Sequence, residues 1–257
     1  MDTQQMDKLF VQTLTGHYDD ESPWEAVRAL HQKGDRDVCA RAAEWCRSDD
    51  PLKRARGADV LAQLGRAADH LHNNFPEESF SVVSSLVQRE KDVLPLLSGI
   101  HALGHIGNPL AIPLVIAQRC HPCEDVRFAV ACTLGSFAND PRTVDTLLAL
   151  MQDADEDVRD WATFGLGVQS DLDSADIRDG LFHRLTDPDS DVRGESLLGL
   201  AKRQDQRALP ALIAELNQSE IHDRAFEAAE TFLGDSLEGL DRNPTDYVAA
   251  IKQRFTL

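Results

Sequence analysis

The chain repeats itself, at a period too short for any one copy to bury a core alone. One phrase recurs: an acidic turn, an apolar residue followed by Arg, several small residues, and a Leu-Gly-like pair. It runs from Asp125-Val126-Arg127 to Leu134-Gly135, from Asp157-Val158-Arg159 to Leu166-Gly167, and from Asp191-Val192-Arg193 to Leu200-Ala201. Weaker copies run from Lys53-Arg54 to Leu61-Ala62, from Pro95-Leu96 to Leu103-Gly104 and from Ala225-Phe226 to Leu233-Gly234. The second residue of each opening pair falls at 54, 96, 127, 159, 193 and 226, in steps of 42, 31, 32, 34 and 33 residues. Such a period predicts an array of supersecondary units that stack to share a core.

Between the phrases lies a second apolar period. Pro109 to Ala117, Val144 to Met151 and Leu209 to Leu216 each space their Leu, Ile and Val residues for two or three helical turns. Asp50, Glu124, Asp155 and Asp189 stand where N-caps and the positive end of a helix dipole favour acids. Pro51 and Pro188 fall at or near first turns, and Gly65, Gly107 and Gly234 punctuate ends. No alternating β-branched run competes, so the expected fold is all-α, with two helices per unit.

These residues resemble the HEAT repeat family, in the short bacterial form also found in phycobilisome lyases. The resemblance is carried best by Glu124 to Met151 and Ser190 to Leu216 and covers roughly residues 22 to 240. It implies an α-α superhelix of about six to seven helix pairs, in which the Arg of each phrase ties neighbouring turns together. Leu96 and Phe226 depart from the pattern, which marks an atypical second unit and a C-terminal cap. The family spans scaffolds, lyase subunits and regulators, so the fold does not choose among them.

One array is expected over 1–257. Residues 1–48 form a degenerate N-terminal cap, 49–240 the repeats, and 241–257 a closing helix. The 42-residue step holds an insertion around Arg66 to Phe80, with His70, His72, Asn73 and Asn74. It reads equally as a functional loop or a tolerated insertion.

Counting from each apolar-Arg pair, positions three, seven and eleven share one helix face and are expected to point outward. The outer units place polar residues there. The middle units place Leu97, His101, His105, Phe128, Phe164, Val168 and Leu198 there, a candidate partner-binding strip. The competing reading is that packing covers this strip. The acidic turns, with Asp153, Asp155, Glu156, Asp187 and Asp189, predict a negatively charged edge, because equivalent turns stack in such arrays. The alternative is that these acids cap helices and pair with Arg54, Arg127, Arg159 and Arg193.

Net charge sharpens the functional classes. Twenty-six basic against 44 acidic residues leave −18, which opposes phosphate backbones and anionic membranes. No apolar run follows Met1 and none is long enough to span a bilayer, so neither signal peptide nor membrane span is expected. Five cysteines without a scaffold spacing favour a reducing cytoplasm. The Asp-rich turns at 153–157 and 187–191 resemble the start of a calcium loop. They put Val at the sixth position and Phe164 or Leu198 at the twelfth, which rejects an EF-hand. No phosphate loop, nucleophile elbow or zinc-protease motif is present, and no His-Glu pair matches the iron-binding HEAT hydroxylases. The best metal candidates are His101 and His105 with Cys120 and Cys123, and neither a metal nor a cofactor is expected from them. The expected function is a non-catalytic scaffold that binds a basic protein through the apolar strip and acidic edge. One version is an inhibitor of a basic enzyme. The alternatives are a bilin lyase-like subunit and, against the charge, a nucleic-acid-binding protein like the HEAT-like glycosylases.

Overall fold

The computed structural model describes residues 3–66, 72–234 and 242–256. His70 of the insertion and Asp235 of the last outward stripe lie outside them. All regular structure among the described residues is helical, in two compact units, residues 1–133 and 134–257.

The first unit opens with α1 (Thr3–Gln12), α2 (Glu21–Lys33) and α3 (Arg36–Trp45). Repeats follow as α4 (Pro51–Ala62) with α5 (Pro76–Arg89), α6 (Val93–Ile106) with α7 (Ile112–Ile116), and then α8 (Glu124–Gly135), which runs across the boundary. Helix α4 packs on α2, α3 and α6, and α5 packs on α6. Leu30, Leu61, Leu86, Ile100, Leu103 and Ile112 are fully buried between them. Burial of each is worth about 1.5–3 kcal/mol, which isolated short helices need to be stable. The second unit contains α9 (Val144–Leu150), α10 (Glu156–Phe164), α11 (Ala175–Arg184), α12 (Ser190–Lys202), α13 (Leu209–Leu216), α14 (Asp223–Leu233) and α15 (Pro244–Phe255). Helix α12 packs on α10, α11 and α14, and α15 packs on α13 and α14.

Helix starts follow the sequence closely. Asp50 accepts from the Leu52 N–H at 2.9 Å, Asp155 from Val158 at 3.1 Å, and Asp189 from Asp191 and Val192 at 2.9 and 3.0 Å. Glu124 is the first residue of α8 instead of its cap. The inner helices α7, α9 and α13 share a device absent from the sequence reading. Each is preceded by one 3-10 turn, capped by Asn108, Asp140 or Asp205, whose side chain accepts from the N–H two residues on.

The repeated Arg performs one task four times. From its place in the first turn it reaches back to the two carbonyls six and five residues earlier. Arg54 donates to Ser48 and Asp49 O at 3.1 and 3.0 Å, and Arg127 to His121 and Pro122 O at 2.9 and 3.3 Å. Arg159 donates to Asp153 and Ala154 O at 2.9 and 3.0 Å, and Arg193 to Asp187 and Pro188 O at 3.0 Å each. Arg54 and Arg159 also cross to the next repeat. Arg54 pairs with Glu90 at 2.7 Å, and Arg159 with Asp187 at 3.1 Å. Where Leu96 replaces the Arg, the Glu90 carboxylate organises the turn itself, accepting from Lys91 and Asp92 N–H at 2.9 and 3.1 Å. Where Phe226 replaces it, the His222 ring caps α14 and holds Asp191 at 2.8 Å.

Asp187 is thereby corrected as a member of the solvent-facing acidic edge. It is 5% exposed and accepts from both Arg159 and Arg184. Asp155 and Asp189 are helix caps, and Asp153 accepts from the Asp155 N–H at 3.0 Å. Glu156 is exposed in the first turn of α10.

Close helix approach depends on glycine at one place in particular. A Cβ built on Gly199 of α12 would lie 2.6 Å from the Gly167 Cα. Gly199→Ala is expected to lower stability by about 1–3 kcal/mol in urea unfolding, because the opposing atom is backbone and cannot rotate away. Arg159→Ala removes two carbonyl bonds and half of a buried pair. We expect a loss of about 3 kcal/mol, held to that by the remaining Arg184 contact. Burial works to raise the Asp187 pKa, but hydrogen bonds from Arg159 and the Asp189 N–H bring it below its ordinary 3.8. Stabilisation by the pair is therefore complete above pH 3.8 and is lost as pH falls through the depressed value. The difference in unfolding free energy between parent and variant should shrink in that acid range.

Candidate functional site

The first unit encloses a cavity of about 520 Å³. Helix α6 supplies one wall. Its residues Leu94, Leu97, Ser98, His101 and His105 recur at helical spacing on the side that faces the cavity. Trp24 and His31 of α2 form a second wall, with Tyr18 and Asp19 from the segment before it. Asp59 and Gln63, in and just after α4, and Asp125 and Phe128 of α8 complete the lining.

Beneath this cavity lies a buried polar network. Arg56 is fully buried, donating to Thr13 O at 2.9 Å, to Tyr18 O at 2.6 Å and to Asp59 Oδ2 at 3.2 Å. Its guanidinium stacks 3.9 Å from the Tyr18 ring centroid and 5.1 Å from that of Trp24. The Tyr18 hydroxyl donates to Asp59 Oδ2 at 2.7 Å and sits 2.7 Å from the Ser98 hydroxyl. Burial nonetheless pushes the Asp59 carboxyl up to about 6, against the pull of Tyr18 and Arg56. His31 Nε2 donates to the Asp59 carbonyl at 2.9 Å. Burial depresses the pKa of His31, His101 and His105 alike. His105 adds to the effect on the other two, and Arg66 acts on His31 and His105. All three imidazoles are therefore held toward the neutral form.

The strip expected from sequence is partly assembled. Leu97, His101, His105 and Phe128 meet at this cavity, His105 exposed and the others half-buried. In the second unit Phe164 and Val168 are half-buried. Leu198 is a correction. It is only 6% exposed, since α12 is covered by α10, α11 and α14 together. Ala55 and Asp59 of the first stripe are likewise buried, because α2 and the segment before it lie over α4. Sequence reasoning missed Tyr18, Trp24, His31 and Ser98. The available signal was Arg56 and Asp59, two charges three residues apart in the otherwise small and apolar stretch Ala55 to Ala62 of α4.

Among the described residues no three His, Cys, Asp or Glu side chains are placed to hold a metal. His101, His105, Cys120 and Cys123 are not gathered. Cys120 is exposed, the Cys123 thiol faces Asp125 Oδ2 at 3.6 Å, and His121 Nδ1 accepts from the Cys123 N–H. Cys39 and Cys46 are buried, with thiols raised by burial to about 11 and about 12, which suits packing and not nucleophilic attack.

The second unit carries a different cluster. Trp161 packs edge-on to Phe164 at 5.7 Å, and Arg224 stands over Phe164 while paired to Glu195 at 2.9 Å and Glu227 at 2.7 Å. Asp160 Oδ1 is buried without a hydrogen-bond partner. Burial, then repulsion from Glu195, Asp191, Asp189 and Asp157, raises its pKa to about 7.

The HEAT-repeat family profile matches residues 97–167 and 144–232, together more than half of the chain. The chain belongs to the HEAT-repeat family. As a HEAT-repeat protein it is related to protein YibA of Escherichia coli K12, 29% identical over 210 residues that span 79% of this chain and 72% of YibA. It is also related to the phycocyanobilin lyase subunit alpha of Thermosynechococcus vestitus, 32% identical over 152 residues, 59% of this chain and 55% of that protein. The crystal structure of E. coli YibA shares the fold with a TM-score of 0.73 and 24% identity, covering 98% of this chain and 93% of YibA. No helix among the described residues is long and apolar enough to cross a membrane.

Carbon-detected NMR should place the Asp160 titration near 7. Glu195→Gln should lower that midpoint, since it removes the nearest like charge. An unmoved midpoint would show that burial alone sets it.

Proposed function

We propose that this HEAT-repeat protein is a non-catalytic scaffold that captures a basic segment of a partner protein, in a reducing cytoplasm. The observation that carries this reading is the cavity of about 520 Å³ in the first unit. Its walls combine aromatic and aliphatic side chains with three imidazoles, its mouth carries the exposed carboxylates Asp19 and Asp125, and the chain bears −18. Apolar contact supplies affinity there, and the negative field supplies selection and encounter rate. Trp161 and Phe164, beside the Asp160 and Glu195 carboxylates, offer a second surface of the same composition in the other unit.

The test is calorimetric titration with a 15-residue Lys/Arg-rich peptide. Raising salt from ~50 to ~500 mM shortens the Debye length roughly threefold and should weaken binding at least tenfold. Phe128→Asp and Phe164→Asp should each weaken it further. Binding that ignores both salt and these substitutions rejects the reading.

A bilin lyase-like subunit is the second reading, favoured by the 32% identity to the cyanobacterial lyase subunit. Its mark would be an absorbance change when phycocyanobilin is added. Nucleic-acid binding is opposed by the charge, and DNA retardation at ~50 mM salt, where electrostatic attachment is strongest, would be needed to revive it.

A further inference from the structure

We propose that the cavity of the first unit receives one arginine side chain, the planar guanidinium of a residue projecting from the bound segment. This rests on the scaffold reading and names the group that the cavity selects.

Size comes first. About 520 Å³ falls within the range of small-ligand pockets, roughly 300–1,000 Å³, and far exceeds the space of a single water. The lining includes the aromatic side chains of Trp24, Tyr18 and Phe128 and the His101 imidazole. A guanidinium is the protein cation that stacks on such surfaces while donating hydrogen bonds in its own plane.

The polar groups ask for donors. Among the described residues, the His101 and His105 rings and the Gln63 amide make no hydrogen bond. Each imidazole, its pKa lowered from the ordinary value, has in its neutral form one lone pair to offer and no positive charge to repel a cation. Asp19 and Asp125 lie exposed at the mouth with no ion pair to a described residue. The remaining charges that bear on the cavity are Asp59, with Arg56 paired behind it, and Arg66, which acts on His31 and His105. The carboxylates at the mouth disfavour an anion. A lysine would satisfy the charge but not the ring faces.

The wall already contains a guanidinium held in this way. Arg56 stacks on Tyr18 and Trp24 and donates to a carboxylate and to carbonyls. The chemistry proposed for the guest is thus one that these same rings already perform for a resident side chain.

The experiment uses the full chain and three acetylated, amidated pentapeptides, Gly-Gly-X-Gly-Gly, with X as arginine, lysine or citrulline. Side-chain NMR of the His101 and His105 rings reports occupancy directly. Arginine peptide at millimolar concentration should shift both rings saturably. Citrulline, the uncharged isostere, should bind at least about tenfold more weakly, as should arginine peptide to the Asp125→Asn variant. Asp145→Asn, an exposed acid of α9 in the other unit, should leave the response unchanged. Ring signals that do not move with arginine, or that move equally with citrulline or lysine, overturn the proposal. If the rings stay still while the basic 15-residue peptide binds in a salt-dependent way, the arginine assignment fails and the scaffold reading stands. Saturable arginine binding in the cavity without salt-sensitive binding of the long peptide supports the assignment and rejects the scaffold.

Discussion

One arginine in each of four repeats holds a sharp turn to the helix that follows it. A turn of five to seven residues between two helices leaves carbonyls without helical partners, and water serves them poorly where repeats press together. Arg54, Arg127, Arg159 and Arg193 each supply a charged donor to the same two carbonyls, at the same offset. The guanidinium makes both bonds through one nitrogen and keeps further charged N–H groups for a carboxylate in the next repeat. Arg54 with Glu90 and Arg159 with Asp187 use that surplus. The turn and the register between successive repeats are therefore set by one residue, and the apolar positions of each first helix follow from it.

This is why the architecture was legible before any coordinates. The Val-Arg phrase and its spacing are geometric requirements, so they recur wherever the turn recurs. The departures were legible too, and they have physical substitutes. Glu90 supplies a carboxylate that bonds its own turn in front of Leu96, and His222 caps the helix that bears Phe226. The one-turn 3-10 starts of α7, α9 and α13 were not foreseen. Their Asn-Pro, Asp-Pro and Asp-Gln openings signal a turn without saying how the helix will begin.

The candidate binding strip was legible only in part, and the failure has a specific cause. A helix in a stack is covered by its two neighbours as well as its partner, so the outward stripe is set by the elements at either side. Leu198 shares a register position with Phe164 but is enclosed by α10, α11 and α14. Asp59 shares a position with His101 but is enclosed by α2 and the Tyr18 segment. Periodicity within one helix carries no information about that cover. Two charges on one buried face would have: Arg56 and Asp59 can be enclosed only if they satisfy each other and find carbonyls and a hydroxyl nearby. A helix that keeps such a pair in its interior predicts a polar segment lying over it, and that segment is what forms the near wall of the cavity.

The net charge of −18 divides in the same way. Asp50, Asp155 and Asp189 are consumed as helix caps, and Glu90 and Asp187 as partners of the repeat arginines. Those carboxylates are stabilised where they stand, and a guest cation would have to compete with N–H groups and guanidiniums already in place. The carboxylates that have no such partner behave differently. Asp160 is raised to about 7 by burial first and then by repulsion from its acidic neighbours, and a cation arriving there would relieve that repulsion. A surface of equal charge density can thus be inert or attractive according to whether its acids are already satisfied. By that criterion, the candidate sites for a cation are Asp19 and Asp125 in one unit and Asp160 in the other, while Asp50, Asp155 and Asp189 in the regular acidic turns serve the fold.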